Sequence, residues 1–143
     1  MKYTTEIEIH APIEKVAALL GDHEQMKKWL PELQSYKPIS GKPREVGTKT
    51  ELEINKGGQM QITETILEID FPYRFAVHYE TAGVSLIIDN QLQRSTPMLT
   101  RYILSHHFKF SGVLKIATAL MKAAFVTHSE QIMKNFKAVA EES

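Results

Sequence analysis

The chain has 143 residues, 43% hydrophobic and 24% charged, the size and balance of one compact globular domain spanning 1–143. Lysine plus arginine and aspartate plus glutamate both number 17, so charge gives no reason to expect nucleic acid or an anionic membrane as partner. There is no cysteine, which excludes disulfides, thiolate metal ligands and a cysteine nucleophile and fits a reducing cytoplasm.

The first ten residues read as a strand rather than an apolar leader, because Thr5, Ile7 and Ile9 alternate with Glu6, Glu8 and His10. No segment reaches the ~18 uncharged apolar residues of a membrane span, so a soluble cytoplasmic protein without stable membrane insertion is expected. Pro12 suits a first helical position, and Ile13, Val16, Leu19 and Leu20 then share a helical face up to Gly21. Asp22 can cap a second short helix carrying Met26, Trp29 and Leu30, which Pro31 stops.

The middle of the chain reads as six strands. They run about Glu32 to Ile39, Thr48 to Ile54, Gln59 to Ile69, Arg74 to Glu80, Val84 to Arg94 and Met98 to Phe108. Turn signals separate them at Ser40 to Gly47, Lys56-Gly57-Gly58, Asp70 to Tyr73, Thr81-Ala82-Gly83 and Ser95-Thr96-Pro97. If Arg94 pairs with Met98 across the last hairpin, Leu92 faces Thr100, Asn90 faces Tyr102, Ile88 faces Leu104, Leu86 faces His106 and Val84 faces Phe108. These residues share one mostly apolar face, and Asp89, Gln91 and Arg101 lie on the other. From Ser111 to about Glu141 the period becomes helical, with Leu114, Met121, Phe125, His128, Ile132, Phe136 and Val139 in one stripe. The order is strand, two short helices, six strands and one long helix, an α+β chain.

Three stretches carry a family likeness. Ile9-His10-Ala11-Pro12-Ile13-Glu14-Lys15-Val16, Asp22 with Trp29-Leu30-Pro31, and Glu64 to Pro72 resemble, in order, elements of the START-like or SRPBCC superfamily, which includes polyketide cyclase/dehydrase-like proteins. The resemblance spans nearly the whole chain. It implies a helix-grip fold, a curved seven-stranded antiparallel sheet wrapped around the long C-terminal helix over an apolar cavity. Because that container serves carriers, enzymes and interaction modules, the likeness alone assigns no function.

Such a cavity is mostly apolar, with a few polar groups that orient a guest. A helix running back antiparallel along the last strand from Gly112 brings His128, ~24 Å on, near Thr100 and Tyr102, and hence Asn90. Asn90, Tyr102 and His128 are therefore candidates to orient a ligand, with Met121 and Phe125 as lining; a core histidine bonded to a tyrosine is the competing reading. His106 faces inward as a pocket wall or a satisfied core group, and Arg94 sits at a strand end where a polar headgroup could meet it. His106 and His107 point to opposite faces and form no metal pair. The alternation leaves open whether Ile62, Glu64 and Ile66 or Thr63, Thr65 and Leu67 face inward. No phosphate loop, serine elbow or spaced carboxylate pair appears, and no metal or cofactor is implied.

The leading expectation is binding of a small hydrophobic or amphipathic molecule, such as a lipid, quinone or polyketide-like compound. A cyclase or dehydratase acting on an enolisable carbonyl compound is the first alternative. The second is an interaction module or homodimer using the apolar arc at Val113, Ile116 and Leu120.

Overall fold

The computed structural model describes residues 2–111 and 118–142, with the side-chain surroundings of 118–121 outside that description. Period-two patterning forms β1 (Lys2–Ile9), whose inner residues Tyr3, Thr5, Ile7 and Ile9 alternate with exposed Lys2, Thr4, Glu6 and Glu8. Two short helices follow, α1 (Ile13–Gly21) and α2 (His23–Trp29). Asp22 caps α2, its carboxylate accepting a hydrogen bond from the Glu24 amide at 2.9 Å. Gly21 is fixed by packing: a Cβ there would lie 2.8 Å from the Phe71 ring.

The strands β2 (Leu33–Ser40), β3 (Lys49–Asn55), β4 (Gln59–Asp70), β5 (Arg74–Thr81), β6 (Val84–Thr96) and β7 (Leu99–Phe110) pair antiparallel in sequence order. β1 closes onto β7, giving one curved seven-stranded sheet of order β1-β7-β6-β5-β4-β3-β2. The long helix α3 (Thr118–Glu141) packs inside it. Ser111, the expected helix start, lies outside the helix, its amide donating to the Gly83 carbonyl at 3.0 Å at the end of the last hairpin; the arc at Val113, Ile116 and Leu120 lies outside the described residues or side chains.

The last hairpin keeps the expected faces but slides by two residues. Arg94 pairs with Thr100, Leu92 with Tyr102, Asn90 with Leu104, Ile88 with His106, Leu86 with Phe108 and Val84 with Phe110. β6 runs on to Thr96, which pairs with Leu99 around a tight Pro97-Met98 turn, and an irregularity between Arg94 and Thr96 absorbs one residue. The Met98 amide bonds to the Thr96 hydroxyl at 3.2 Å. A slip of two preserves side-chain parity, so Tyr102 is buried and Arg101 exposed as expected.

The main core gathers at the α1 end of the sheet. Ile9, Ile13, Val16, Phe75, Val77, Tyr102 and Phe136 are buried together there, and a smaller cluster joins Met26, Leu33, Leu52 and Ile54. Trp29 ties the helices to this core, donating its indole N–H to the Leu19 carbonyl at 3.0 Å and meeting Phe136 edge-on with centroids 5.3 Å apart.

Candidate functional site

Beyond that core the interior is not filled. A cavity of about 750 Å³ lies between α3 and the inner face of β3 to β7, within the size range of small-molecule sites. Its walls are mostly apolar and include Leu52, Phe75, Leu86, Ile88, Phe108 and Phe125. This explains why Leu86, Ile88, Phe125 and Ile132 are only half-buried where close packing would bury them. Exposed Lys56, Gln59 and Gln61 also border the space and mark where it meets solvent.

Three polar groupings touch this cavity, and they differ in how well they are satisfied. At the packed end the Tyr102 hydroxyl donates to the Asn90 carbonyl oxygen, and the Asn90 amide donates to the Phe75 carbonyl at 2.9 Å. This chain satisfies itself, and burial pushes the Tyr102 phenol well above its usual range.

The second grouping joins β1 to β7. Tyr3 and His106 are direct cross-strand partners whose rings stack at 4.4 Å and 12°. Neither the Tyr3 hydroxyl nor His106 Nδ1 has a hydrogen-bond partner among the described residues, although both atoms are buried. Burial lowers the His106 pKa to about 4. Ser129 approaches the Tyr3 phenol, yet no bond of proper geometry satisfies that oxygen.

The third grouping lies behind the wall. Ile62, Glu64 and Ile66 face inward, and an irregularity between Ile66 and Glu68 leaves Leu67 exposed. Glu64 is 2% exposed and sits beside its cross-strand partner Tyr79, which lines the cavity. One Glu64 oxygen meets His23 Nε2 at 2.7 Å, while Oε2 has no partner of hydrogen-bonding geometry among the described residues. Burial lowers the His23 pKa, but the hydrogen bond and charge of Glu64, with Asp22, outweigh it and leave the value raised. Burial first, then Glu64, push the Tyr79 phenol well up.

This architecture has known counterparts. A family model described as polyketide cyclase / dehydrase and lipid transport matches residues 1–141. The chain belongs to that family. Among solved structures, the Zhui aromatase/cyclase from Streptomyces sp. R1128 superposes with a TM-score of 0.83 at 14% identity, covering 99% of this chain and 93% of that one. TTHA0849 from Thermus thermophilus gives 0.75 at 19% identity over 96% and 95%. Ara h 8.0201 gives 0.73 at 15% over 98% and 97%. At such identities these neighbours share the fold and establish no common chemistry. No curated protein matches the chain.

In this member of the polyketide cyclase / dehydrase and lipid transport family, Asn90, Tyr102, His106, Phe125 and His128 all border the cavity. They do not form the cluster that the helix-length argument expects. His128 lies at the mouth, 3.4 Å from Glu32 Oε2, and Phe136 is the helix residue over Tyr102, at 5.3 Å. Phe125 is still beside Phe108 and Phe110 near the end of β7, so matching helix rise to strand rise from Gly112 carries His128 too far along the strand. Burial lowers the His128 pKa; Glu32 opposes that shift and Lys56 adds to it.

Thr100 and Arg94 do not border the cavity. Thr100 is fully buried and donates to the Ala11 carbonyl at 2.8 Å, while Arg94 is exposed and pairs with Glu14. The two-residue slip of the hairpin carries both toward α1. The side-chain surroundings of Met121 lie outside the description. His107 sits half-exposed on the outer face, opposite His106.

Sequence reasoning missed Tyr3, Tyr79 and His23. Tyr3 continues the inward parity of Thr5, Ile7 and Ile9, and Tyr79 that of Phe75 and Val77, so period-two alternation could have placed both. His23 has no comparable signal, because its tie to Glu64 spans two distant segments.

Proposed function

We propose that this protein binds a small hydrophobic or amphipathic molecule inside the cavity. The observation that carries this reading is an apolar space of about 750 Å³ whose lining side chains are half-buried rather than packed. Burial of a guest's apolar surface supplies affinity at roughly 25 cal/mol per Å². The family description, which joins cyclase and dehydrase activity with lipid transport, supports a container of this kind. N-phenyl-1-naphthylamine, a neutral dye that brightens in apolar surroundings, tests it together with native mass spectrometry of gently purified protein. Wild type should enhance the dye and release a bound molecule. Ile88→Trp, which places a large ring in the cavity, should weaken dye binding at least about tenfold while keeping the circular dichroism spectrum. Equal dye binding by that variant, or none by wild type, overturns the proposal.

A second reading, proton-transfer catalysis on a bound carbonyl compound, has one observation in its favour. Tyr79 on the cavity wall, buried Glu64 and part-exposed His23 form a continuous path from the interior toward solvent. Hydrogen–deuterium exchange at the α-carbon of cyclohexanone, followed by NMR, separates this from simple carriage. Catalysis predicts faster exchange with wild type than with Glu64→Gln; identical rates leave Glu64 structural.

A further inference from the structure

We propose that Tyr3 and His106 are the docking point for an uncharged hydrogen-bonding group, a hydroxyl or a carbonyl, on the molecule the cavity holds. The proposal rests on the ligand-binding reading above and specifies the chemical class of its guest.

The argument begins with a contrast along one wall. Folded interiors pair nearly all their buried polar atoms. This interior follows that rule at Asn90, Tyr102 and the Phe75 carbonyl, which border the same cavity and satisfy one another. It departs from it at His106, which borders the cavity, and at Tyr3, whose ring stacks against it. His106 is 3% exposed, borders the cavity, and leaves Nδ1 without a partner among the described residues. The Tyr3 hydroxyl, on the ring stacked against it, is in the same condition. Two unsatisfied polar groups from neighbouring strands are therefore stacked together, His106 on the otherwise apolar cavity wall and Tyr3 directly against it.

Their chemistry restricts what can satisfy them. A phenol both donates and accepts, and a neutral imidazole offers one donor and one acceptor. His106 is neutral at pH 7, because burial holds its pKa at about 4. Burial first raises the Tyr3 phenol, the approach of Ser129 offsets part of that, and the charge of Glu130 further opposes its ionisation. No positive charge is thus supplied by either ring, and a carboxylate placed there would be buried without a counter-ion. A hydroxyl or carbonyl meets the same two atoms without that cost.

Competition for bound N-phenyl-1-naphthylamine provides the test, with three probes of matched shape: 4-butylphenol, butylbenzene and 4-butylbenzoate. Wild type should be displaced most readily by the phenol, by about tenfold over the hydrocarbon, which is the size of one good hydrogen bond, and least by the benzoate. Tyr3→Phe removes only the hydroxyl and should collapse the preference for phenol over hydrocarbon toward unity. His106→Leu should do the same, and Tyr3→Phe settles the matter if the leucine variant fails to fold. Equal displacement by phenol and hydrocarbon in wild type, displacement by none of the three, or a preference that survives both substitutions overturns the docking point while the dye signal still upholds the cavity. If the dye itself does not bind, the ligand-binding reading falls and takes this one with it.

Discussion

The two ends of α3 present the same kind of apolar stripe to very different surroundings. Toward its C-terminus, Met133, Phe136 and Ala140 are buried against Ile9, Val16 and Tyr102, with α1 and α2 filling the space beside the sheet. Toward its start, Phe125, His128 and Ile132 are half-buried around the cavity. Stripe composition is alike at both ends, so periodicity does not tell a residue that fills a core from one that lines a container. The difference is made by elements distant in sequence: the short helices close one end of the curved sheet, and among the described residues the cavity occupies the other.

The largest expected effect tests that contrast directly. Phe136→Ala should cost about 3–5 kcal/mol in urea unfolding, the range for removal of a large, fully buried aromatic. Ile132→Ala, which enlarges an existing space, should cost less than about 2 kcal/mol. Similar losses at both positions would erase the distinction between the ends.

Acid should expose the next difference. His106 has a folded pKa of about 4 against an ordinary 6.5, so between those values the unfolded chain binds the extra proton. Its contribution is fully present above pH 6.5 and is lost as pH falls toward 4, on the order of 2–3 kcal/mol. The comparison is wild type minus His106→Leu, because carboxylates titrate in both. Wild type should lose stability relative to the leucine variant as pH falls toward 4, and parallel curves would mean that His106 is not held neutral by burial.

At the paired site, Tyr102→Phe leaves the buried Asn90 oxygen without its donor and should cost about 1–2 kcal/mol. The matching Tyr3→Phe removes a hydroxyl that has no partner among the described residues and should be neutral or slightly stabilising in the ligand-free protein. Equal losses in thermal unfolding would show that both hydroxyls are satisfied alike.

The smallest effect is the pH response of His23. Its folded pKa is raised, so its contribution is complete below about 6.5 and is lost as pH rises through the folded value, opposite in sign to His106. Glu64→Gln removes the charged partner. A stability decline with rising pH in wild type that is absent from the variant is expected, and a decline that persists unchanged assigns the slope to other groups.

Local patterning reached a long way into this protein. Alternation set β1, the Asp22 cap set the start of α2, and the inner and outer faces of β6 and β7 followed from parity, because each depends only on neighbours along the chain or across one hairpin. The two-residue slip between those strands was not legible, since a tight turn and a bulge can trade residues without changing the faces. The inward face of Glu64 turned on a bulge and on His23, a partner from a distant helix. His128 required the true path of α3, which places it beside Glu32 instead of Tyr102.

By itself, then, the sequence determined the element order, the side-chain faces and the family likeness, all carried by short-range periodicity and local motifs. Tertiary structure alone decided which polar groups are paired and which are left without a partner among the described residues. Tyr3 stands on the first strand and His106 on the last, and only closure of β1 onto β7 stacks them. Hydrogen-bond satisfaction depends on atoms a few ångströms apart in space, whatever their separation along the chain.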